Sequence, residues 1–300
     1  MKILITGSSG FVGRNLSAYF EQQQIDANVL SLRNNDWKDH IDNQVDAIIH
    51  LAGKAHDTSN TSEEDEYFKV NRDLTISLFD EFLKSEIKDF FFFSSVKAVA
   101  DSVSDVLLED AVGIPKTPYG RSKFEAENYL LSKELSEGKR LFIIRPCMIH
   151  GQGNKGNLNL LYKIVDKGFP WPLAAFENQR SFLSIDNLSF LVLKMLQNRE
   201  VKSGIFNFAD DEAISTNQLV KIIGNASDKK TKLWYISSNL VTSVAKIGDI
   251  IKLPLNSERL KKLTESYVVS NQKIKTALGI NKLPLSAEEG LVKTIKSFKN

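Results

Sequence analysis

Tyr119 and Lys123 are the residues whose types and spacing point most directly to chemistry; they lie in the segment PYGRSK at 118–123. Residues four apart lie on one face of a helix, so the phenol and the ammonium group are expected to be neighbours. A nearby positive charge favours the phenolate and is expected to lower the pKa of Tyr119 from about 10 towards neutrality. Such a phenol can exchange a proton with a carbonyl or carbinol oxygen. The same spacing is also typical of a solvent-exposed helix face.

Ser94 and Ser95 end the apolar run DFFFFSS at 89–95. A continuous apolar run of this length is typical of a strand buried on both faces of a parallel sheet. Ligands bind at the carboxyl ends of such strands, so a serine hydroxyl there could bond the same oxygen as Tyr119. The residues alone leave both Ser94 and Ser95 as candidates for this hydroxyl.

Three glycines, Gly7, Gly10 and Gly13, lie between a strand-like run, KILIT at 2–6, and a helical pattern. Glycine at a strand-to-helix turn lets the backbone approach a pyrophosphate, and the helix N-terminus offers N–H groups to the anion. The spacing therefore favours a dinucleotide site. A tight turn without a ligand would use the same glycines.

The end of the second strand bears on the choice of dinucleotide. A carboxylate there would bond the ribose 2′-hydroxyl of NAD, but this chain has Ser31 and Arg33 in VLSLRNND. Arginine can accommodate a 2′-phosphate and serine can donate to it, which favours NADP(H), with NAD(H) as the alternative. A solvent-facing loop arginine is the other interpretation. Asp36 lies just beyond, where an adenine edge could be met.

The bulk composition narrows the class of protein. The 300 residues carry Lys+Arg 39 against Asp+Glu 37, a net +2, which argues against nucleic acid as the main partner. A single cysteine excludes an internal disulfide framework. The four scattered histidines show no metal-ligand spacing, so no metal is expected. No apolar run reaches the length of a membrane helix, so we expect a cytoplasmic protein without membrane insertion.

Strand-like and helical segments alternate along the first half of the chain, which predicts an α/β fold with a doubly wound parallel sheet. Helices are expected at about 63–86 and 118–135. The cofactor domain is predicted to span 1–155, with 184–208 returning to it, and a smaller, mainly helical substrate domain to span 156–183 and 209–300. The predicted strands are KILIT (2–6), NVLSL (28–32), DAIIHLA (46–52), DFFFFSS (89–95), RLFIIRP (140–146) and GIFNFAD (204–210).

Several ordered segments match one family together. They are TGSSGFVG (6–13), IIHLAGKAH (48–56), Tyr67…Asn71…Thr75, SSVKAV (94–99), PYGRSK (118–123), IIRPCMIHGQG (143–153), GNL (156–158) and RSFLSIDNL (180–188). Through them the chain resembles the extended short-chain dehydrogenase/reductases, specifically the nucleotide-sugar epimerase/dehydratase/reductase group, whose cofactor domain is of the Rossmann type. The resemblance covers nearly the whole chain.

The resemblance implies site residues. Ser95, Tyr119 and Lys123 would be catalytic, with Lys123 also bonding the nicotinamide ribose, and Asn157 and Arg180 would hold the substrate diphosphate. Ser95 would also contact the substrate. Together with the reasoning above, the cofactor contacts are predicted at Gly7, Ser9, Gly10, Phe11, Val12, Gly13, Ser31, Arg33, Asp36, Leu51, Ala52, Gly53, Tyr119 and Lys123.

The leading hypothesis is an NADP(H)-dependent reductase or dehydrogenase acting at C4 of a nucleotide-activated sugar. The resemblance favours a UDP-linked 2-acetamido-2,6-dideoxy-4-ketohexose in surface polysaccharide synthesis. The alternative is an NAD-dependent 4-epimerase of UDP-glucose or UDP-N-acetylglucosamine. A dehydratase is disfavoured. Sugar 4,6-dehydratases carry an Asp–Glu pair beside the catalytic hydroxyl, and this chain has Val96 and Lys97 at those positions. A non-catalytic dinucleotide sensor would not need the Tyr–Lys pair. A homodimer is the candidate assembly.

Overall fold

The computed structural model describes residues 1–54, 64–154, 156–251 and 256–299, with the side chains of Asn157 and Lys262 outside the described part. Its main sheet has six parallel strands in the order β2-β1-β3-β4-β5-β8. These strands are β1 (Lys2–Thr6), β2 (Asp26–Leu30), β3 (Ala47–His50), β4 (Asp89–Phe93), β5 (Arg140–Pro146) and β8 (Gly204–Phe208). The predicted α/β fold with a parallel sheet is confirmed.

A second sheet, with three strands, begins after β5. It consists of β6 (Met148–His150), β7 (Arg180–Ser184) and β9 (Ala213–Ile214), with β7 in the centre. Strand β7 pairs in parallel with β6 and antiparallel with β9. This small sheet was not predicted, because its strands are too short to show a clear apolar period.

The helices cover both faces of the main sheet and make up most of the C-terminal part. They are α1 (Phe11–Gln22), α2 (Glu64–Phe68), α3 (Leu74–Lys84), α4 (Pro118–Leu131), α5 (Asn157–Asp166), α6 (Ile185–Gln197), α7 (Thr216–Ala226), α8 (Ser238–Ile251), α9 (Ser257–Thr264), α10 (Gln272–Leu278) and α11 (Ala287–Lys296). No helix within the described ranges is both long and apolar enough to cross a bilayer.

Alternate residues of each central strand pack into different hydrophobic clusters, one on each face of the sheet. On β4, Phe91 and Phe93 face the cluster that contains Leu16 of α1 and Leu188 of α6. Phe90 and Phe92 face the opposite cluster, which contains residues of α3 and α4. Both faces are therefore covered, which explains why the strand has no polar–apolar alternation.

Several predicted segments differ from the observed elements, among them one strand and two helices. Strand β2 spans 26–30 rather than 28–32, since Lys2 to Thr6 pair with Asp26 to Leu30 and the ladder ends there. The helix predicted at 63–86 is interrupted by one turn of π-helix at Lys69–Asp73. The helix predicted at 118–135 ends at Leu131.

The strand order places a topological switch point between β1 and β3. Strand β1 pairs with β2 on one side and with β3 on the other, so the connections leave in opposite directions. Ligands bind outside the carboxyl ends of strands at such a point. Those ends are Thr6 on β1 and His50 on β3, each followed by a segment predicted to hold cofactor.

Candidate active site

The turn after β1 packs closely against the segment after β3. Gly7 has φ +72°, and a Cβ there would lie 2.5 Å from the backbone nitrogen of Ala52. A Cβ on Gly13 would lie 2.4 Å from the carbonyl oxygen of Gly7. Any larger side chain would therefore push apart the first turn of α1 and the two strand ends.

The N-terminus of α1 is open to an anion. Its N-cap residue, Gly10, makes no side-chain cap, and no acidic residue lies in the first turn. The first N–H groups of a helix have no partner within the helix and carry a partial positive charge. Phe11, Val12 and Gly13 occupy these positions, and Ser9 is exposed just before them. The N-terminus of α1 can therefore accept an anion such as a pyrophosphate.

Ser31, Arg33 and Asp36 follow the carboxyl end of β2, the strand beside β1. All three are exposed at the sheet edge where Gly7 lies. Asp36 is 3.3 Å from His40, measured between a carboxylate oxygen and Nε2. Leu51, Ala52 and Gly53 follow β3 at the same edge, and residues 55 and 56 of the predicted segment lie outside the described residues.

Helix α4 begins at Pro118 and carries Tyr119 and Lys123 on one face, as predicted. Thr117 caps it by accepting a hydrogen bond from the backbone N–H of Gly120, at 3.2 Å. The helix therefore begins immediately before Tyr119, which fixes the phenol at the first turn. Tyr119 is hydrogen-bonded to Ser95, which begins the short turn after β4. The structure thus brings Ser95, Tyr119 and Lys123 together at the carboxyl end of β4.

The expected effect of Lys123 on Tyr119 is not present in this structure. Burial raises the pKa of the Tyr119 phenol, and the hydrogen bond from Ser95 opposes that rise. The Lys123 ammonium instead donates to the carbonyl oxygen of Phe93 at 2.8 Å. The prediction of a lowered tyrosine pKa was therefore wrong, because the shared helix face does not decide where the lysine side chain is directed.

The pKa of Lys123 is strongly shifted. Burial lowers the pKa of Lys123 to about 8, against the opposing effect of the Glu127 carboxylate one turn further along α4. Glu127 forms a buried ion pair with Arg145, with 2.5 Å between Oε2 and Nη2. A lysine with a pKa near the working pH is typical of functional sites.

The interrupted helix positions a polar network beneath the site. Asn71, buried in the π-helical turn, accepts a hydrogen bond from the backbone N–H of Lys54 at 2.8 Å. Its amide donates to the Lys54 carbonyl at 3.0 Å and to the Ser122 hydroxyl at 3.1 Å. Asn71 therefore ties the segment after β3 to α4, between Tyr119 and Lys123.

His50 serves this network as a neutral group. Its Nδ1 lies 2.7 Å from the Thr6 hydroxyl and its Nε2 lies 2.9 Å from the Thr75 hydroxyl. Thr75 donates its own proton to the Asn71 carbonyl, so it accepts from Nε2–H of the histidine. Burial lowers the pKa of His50 to about 3, so the ring is uncharged at neutral pH.

The predicted diphosphate residues lie in the C-terminal part. Arg180 begins β7, where it pairs with Tyr267 in an isolated bridge. Burial lowers the pKa of the Arg180 guanidinium, and the Glu265 carboxylate opposes this. Asn157 is the first residue of α5. Its side chain lies outside the described part of the chain.

Tyr267 was missed by sequence reasoning. Its hydroxyl donates to the carbonyl oxygens of Ala100 at 2.7 Å and Val96 at 3.2 Å. The Lys97 ammonium lies 4.4 Å from the centre of the Tyr267 ring. Tyr267 therefore connects the strand of Arg180 to the turn that follows Ser95. No motif marks this residue, because the contact joins distant parts of the chain.

Within the described ranges, no group of three or more His, Cys, Asp or Glu side chains could hold a metal ion. Two polar groups at the site stand out instead. Ser94 is buried, and its hydroxyl has no hydrogen-bond partner among the described residues. Ser95 accepts from the backbone N–H of Lys97 at 3.2 Å. The site therefore offers hydroxyl groups for acid–base chemistry.

The chain is similar in sequence and in fold to several known proteins. The chain is 29% identical to the UDP-glucose 4-epimerase of Vibrio cholerae, over 99% of this chain and 95% of that protein. It is 30% identical to the UDP-2-acetamido-2,6-beta-L-arabino-hexul-4-ose reductase of Pseudomonas aeruginosa, over 53% of this chain and 38% of that protein. The crystal structure of UDP-N-acetylglucosamine 4-epimerase from Bacillus cereus has the same fold, with a TM-score of 0.77, 21% identity and 99% of each chain covered.

The sequence profile of one family, the NAD dependent epimerase/dehydratase family, matches residues 3–209. That range contains the glycine turn, the serines after β4 and the Tyr–Lys pair. The family resemblance stated from the sequence is thereby confirmed. The chain is an enzyme that uses a nicotinamide dinucleotide, and it belongs to the NAD dependent epimerase/dehydratase family.

Proposed function

We propose that the protein is an NADP(H)-dependent reductase or dehydrogenase acting at C4 of a nucleotide-activated sugar. The UDP-linked 2-acetamido-2,6-dideoxy-4-ketohexoses are the proposed substrate class, and surface polysaccharide synthesis is the proposed context. The observation that carries the proposal is the hydrogen-bonded pair of Tyr119 and Ser95, which lies at the sheet edge of the glycine turn. Its reductase relative from Pseudomonas aeruginosa supports the substrate class.

The preference for NADP(H) rests on the end of β2. Ser31 and Arg33 are exposed there, and neither position carries the carboxylate that would bond a 2′-hydroxyl. A guanidinium group can form two parallel hydrogen bonds to a phosphate, which suits Arg33 to a 2′-phosphate. The open N-terminus of α1 would hold the pyrophosphate.

The residues of this chain would then perform the proton transfer. A bound reduced nicotinamide supplies a hydride to the carbonyl carbon. The Tyr119 hydroxyl gives its proton to the sugar oxygen, so that the C=O group becomes CH–OH and a tyrosinate remains. Ser95 donates a hydrogen bond to the same oxygen, and protonated Lys123 would stabilise the tyrosinate. In the oxidising direction, Tyr119 accepts the proton.

Arg180 and Asn157 are proposed to hold the substrate diphosphate. Arg180 is partly buried at the start of β7, where burial lowers the pKa of its guanidinium and the Glu265 carboxylate opposes this. A partly desolvated guanidinium binds phosphate oxygens more strongly than an exposed one does. This anchor would fix the sugar relative to Tyr119.

The second candidate is an NAD-dependent UDP-hexose 4-epimerase. The Vibrio cholerae epimerase supports it, because that relative matches over 99% of this chain. Tyr119 would first accept and later return the proton, while the 4-keto sugar turns over within the site. Such an enzyme needs a cofactor that stays bound between the two half-reactions.

Cofactor behaviour distinguishes the two candidates. The protein is purified, its bound nucleotide is identified, and it is then supplied with NADPH and UDP-4-keto sugars or with UDP-hexoses alone. Stoichiometric NADPH oxidation supports the reductase. Purification with bound NAD and interconversion of UDP-hexoses without net redox change would establish the epimerase instead. An absence of both activities would refute chemistry at C4.

Arg33→Gln tests the cofactor assignment separately. Loss of charge-assisted hydrogen bonds of about 1.5–3 kcal/mol should raise the KM for NADPH roughly 10- to 100-fold. The KM for NADH should change little. Lys38→Gln, an exposed lysine beyond the same strand end, serves as the matched control. An equal effect of Arg33→Gln on both cofactors would contradict a 2′-phosphate contact.

A further inference from the structure

Helix α8 (Ser238–Ile251) leaves a row of large apolar side chains exposed. Leu240, Val244, Ile247 and Ile251 are between 41% and 61% exposed. Their spacing of four, three and four residues places them in one stripe along the helix. The neighbouring face of α8 is buried in the hydrophobic cluster of the C-terminal part. The stripe is therefore additional to the face that holds the helix in place.

Two exposed aromatic side chains precede the helix. Trp234 is 53% and Tyr235 is 70% exposed. Their backbone is fixed, because the N–H of Trp234 donates to the carbonyl of Trp171 at 2.8 Å. The N–H of Trp171 in turn donates to the carbonyl of Lys232 at 2.8 Å. A rigid segment thus presents the two residue types that are enriched where membranes meet water.

The charge of this region is opposite to that of the rest of the chain. Residues 229–262 contain eight Lys and Arg but two Asp and Glu, a net +6, whereas the whole chain has a net +2. The remaining residues therefore sum to −4. Lys229, Lys230 and Lys232 are exposed. The acidic residue of α8, Asp249, accepts hydrogen bonds from the backbone and hydroxyl of Ser257, at 2.9 and 2.6 Å.

We propose that this region docks the protein onto the surface of an anionic phospholipid bilayer. The α8 surface, defined as Trp234, Tyr235, Leu240, Val244, Ile247 and Ile251, enters the headgroup region with the helix lying in the membrane plane. The exposed lysines at 229–232 contact anionic headgroups beside it. An amphipathic helix with apolar, aromatic and basic residues binds membranes in this way without crossing them.

The charge distribution favours a bilayer over a second copy of the chain. In a symmetric dimer through the α8 surface, the basic region of one protomer would face that of its partner. Like charges that meet across an interface oppose association. An anionic leaflet instead attracts each lysine near its surface, and the apolar stripe adds the hydrophobic contribution.

Sedimentation with lipid vesicles tests the proposal on the full-length protein. The protein should pellet with vesicles of phosphatidylcholine and phosphatidylglycerol, and far less with vesicles of phosphatidylcholine alone. Added salt should weaken binding, because the lysine contribution is screened. No substrate is needed, so the result does not depend on the proposed reaction. Failure to bind phosphatidylglycerol vesicles at low salt would overturn the proposal.

Two sets of variants separate the apolar and basic contributions. Leu240→Ser with Ile247→Ser should lower the vesicle partition coefficient about tenfold per residue. The matched control is Val112→Ser, which removes an 83% exposed side chain outside the α8 surface and should not change binding. Thermal unfolding checks that each variant is folded.

Replacing Lys229, Lys230 and Lys232 by Gln should lower the same coefficient about fivefold per residue. Lys202→Gln, an exposed lysine elsewhere, is the control and should leave it unchanged. If Leu240→Ser with Ile247→Ser instead abolishes a concentration-dependent dimer and wild-type protein ignores vesicles, the α8 surface is a protein interface and the membrane proposal is wrong.

Discussion

At the amino end of β4, Asp89 is 1% exposed and receives hydrogen bonds from Arg140, at 2.8 and 2.7 Å, and from Arg199, at 3.0 Å. Beside it, the Lys139 ammonium donates to the carbonyls of Phe82, Ser85 and Ile87 at 2.7–2.8 Å, which uses all three of its protons. At the carboxyl end, by contrast, the Ser94 hydroxyl is buried without a partner among the described residues.

The two ends of one sheet therefore use polar residues differently. At the amino end, every charge on Asp89 and Lys139 is matched by the protein, as expected for groups whose role is stability. At the carboxyl end, Ser95 and Tyr119 are hydrogen-bonded to each other, whereas the buried Ser94 hydroxyl has no partner among the described residues. The end of β4 that carries the proposed site is therefore the end with a buried hydroxyl left unpaired by the described residues.

The largest effect is expected from Tyr119→Phe at the carboxyl end. Removal of the proton donor should lower turnover about 10²–10⁴-fold while cofactor binding and stability change little. Tyr129→Phe is the matched control, since it removes a hydroxyl from the same helix that bonds Asp80 at 2.9 Å. Steady-state kinetics measure both. Unchanged turnover in Tyr119→Phe would refute its catalytic assignment.

Asp89→Asn should show the opposite behaviour at the amino end. Leaving the partly buried Arg140 beside a neutral, buried side chain should lower the free energy of unfolding by about 3 kcal/mol. Turnover per folded molecule should stay the same. Denaturant unfolding measures the loss. Lys293→Gln is the control: it removes an exposed ion pair with Asp186 and should lower the free energy of unfolding by under about 1 kcal/mol. Equal losses in both variants would erase the contrast between the ends.

His50 lies at the carboxyl end, but both of its ring nitrogens are hydrogen-bonded, so it should behave as a stabilising residue. Its pKa is about 3 when folded and 6.5 in the unfolded chain, so only the unfolded chain binds the proton between these values. Stability is therefore retained above pH 6.5 and lost as the pH falls towards 3, on the order of 2 kcal/mol by about pH 5. Unfolding of wild-type and His50→Gln proteins across this range should show a shallower pH dependence in the variant. Parallel curves would contradict a neutral buried histidine.

The smallest effect is expected from Ser94→Ala. The lost hydroxyl is buried without a partner in the part of the chain that the structure describes, so the free energy of unfolding should stay unchanged or rise by up to about 1 kcal/mol. Thr75→Val, which removes a buried hydroxyl that bonds His50, should instead destabilise the protein. Chemical denaturation compares the two. A clear loss of stability in Ser94→Ala would show that its hydroxyl is satisfied in solution.

Much of the fold could be predicted because the central strands are continuous apolar runs between glycine or serine turns. Strands β1, β4 and β5 follow this pattern, and the site residues after them are placed by local sequence. The domain boundaries and the roles of the site residues remain predictions. The direction of the Lys123 side chain could not be predicted, since it depends on the Phe93 carbonyl across the helix–sheet contact.

The π-helical turn at Lys69–Asp73 and the role of Tyr267 also escaped prediction. The extra residue in the helix follows from the hydrogen bonds of Asn71 to Lys54 and Ser122, which no local period reveals. The exposed apolar stripe of α8 illustrates the same limit, because an apolar helix face predicts burial unless the structure shows which part is covered.

The hydroxyl of Tyr267 reaches back across 171 residues to the carbonyl of Val96. As the polypeptide leaves the ribosome, the turn carrying Ser95 therefore lacks this clamp until most of the chain has been made. The turn after β4 therefore takes its final position late in synthesis, only once Tyr267 can reach it.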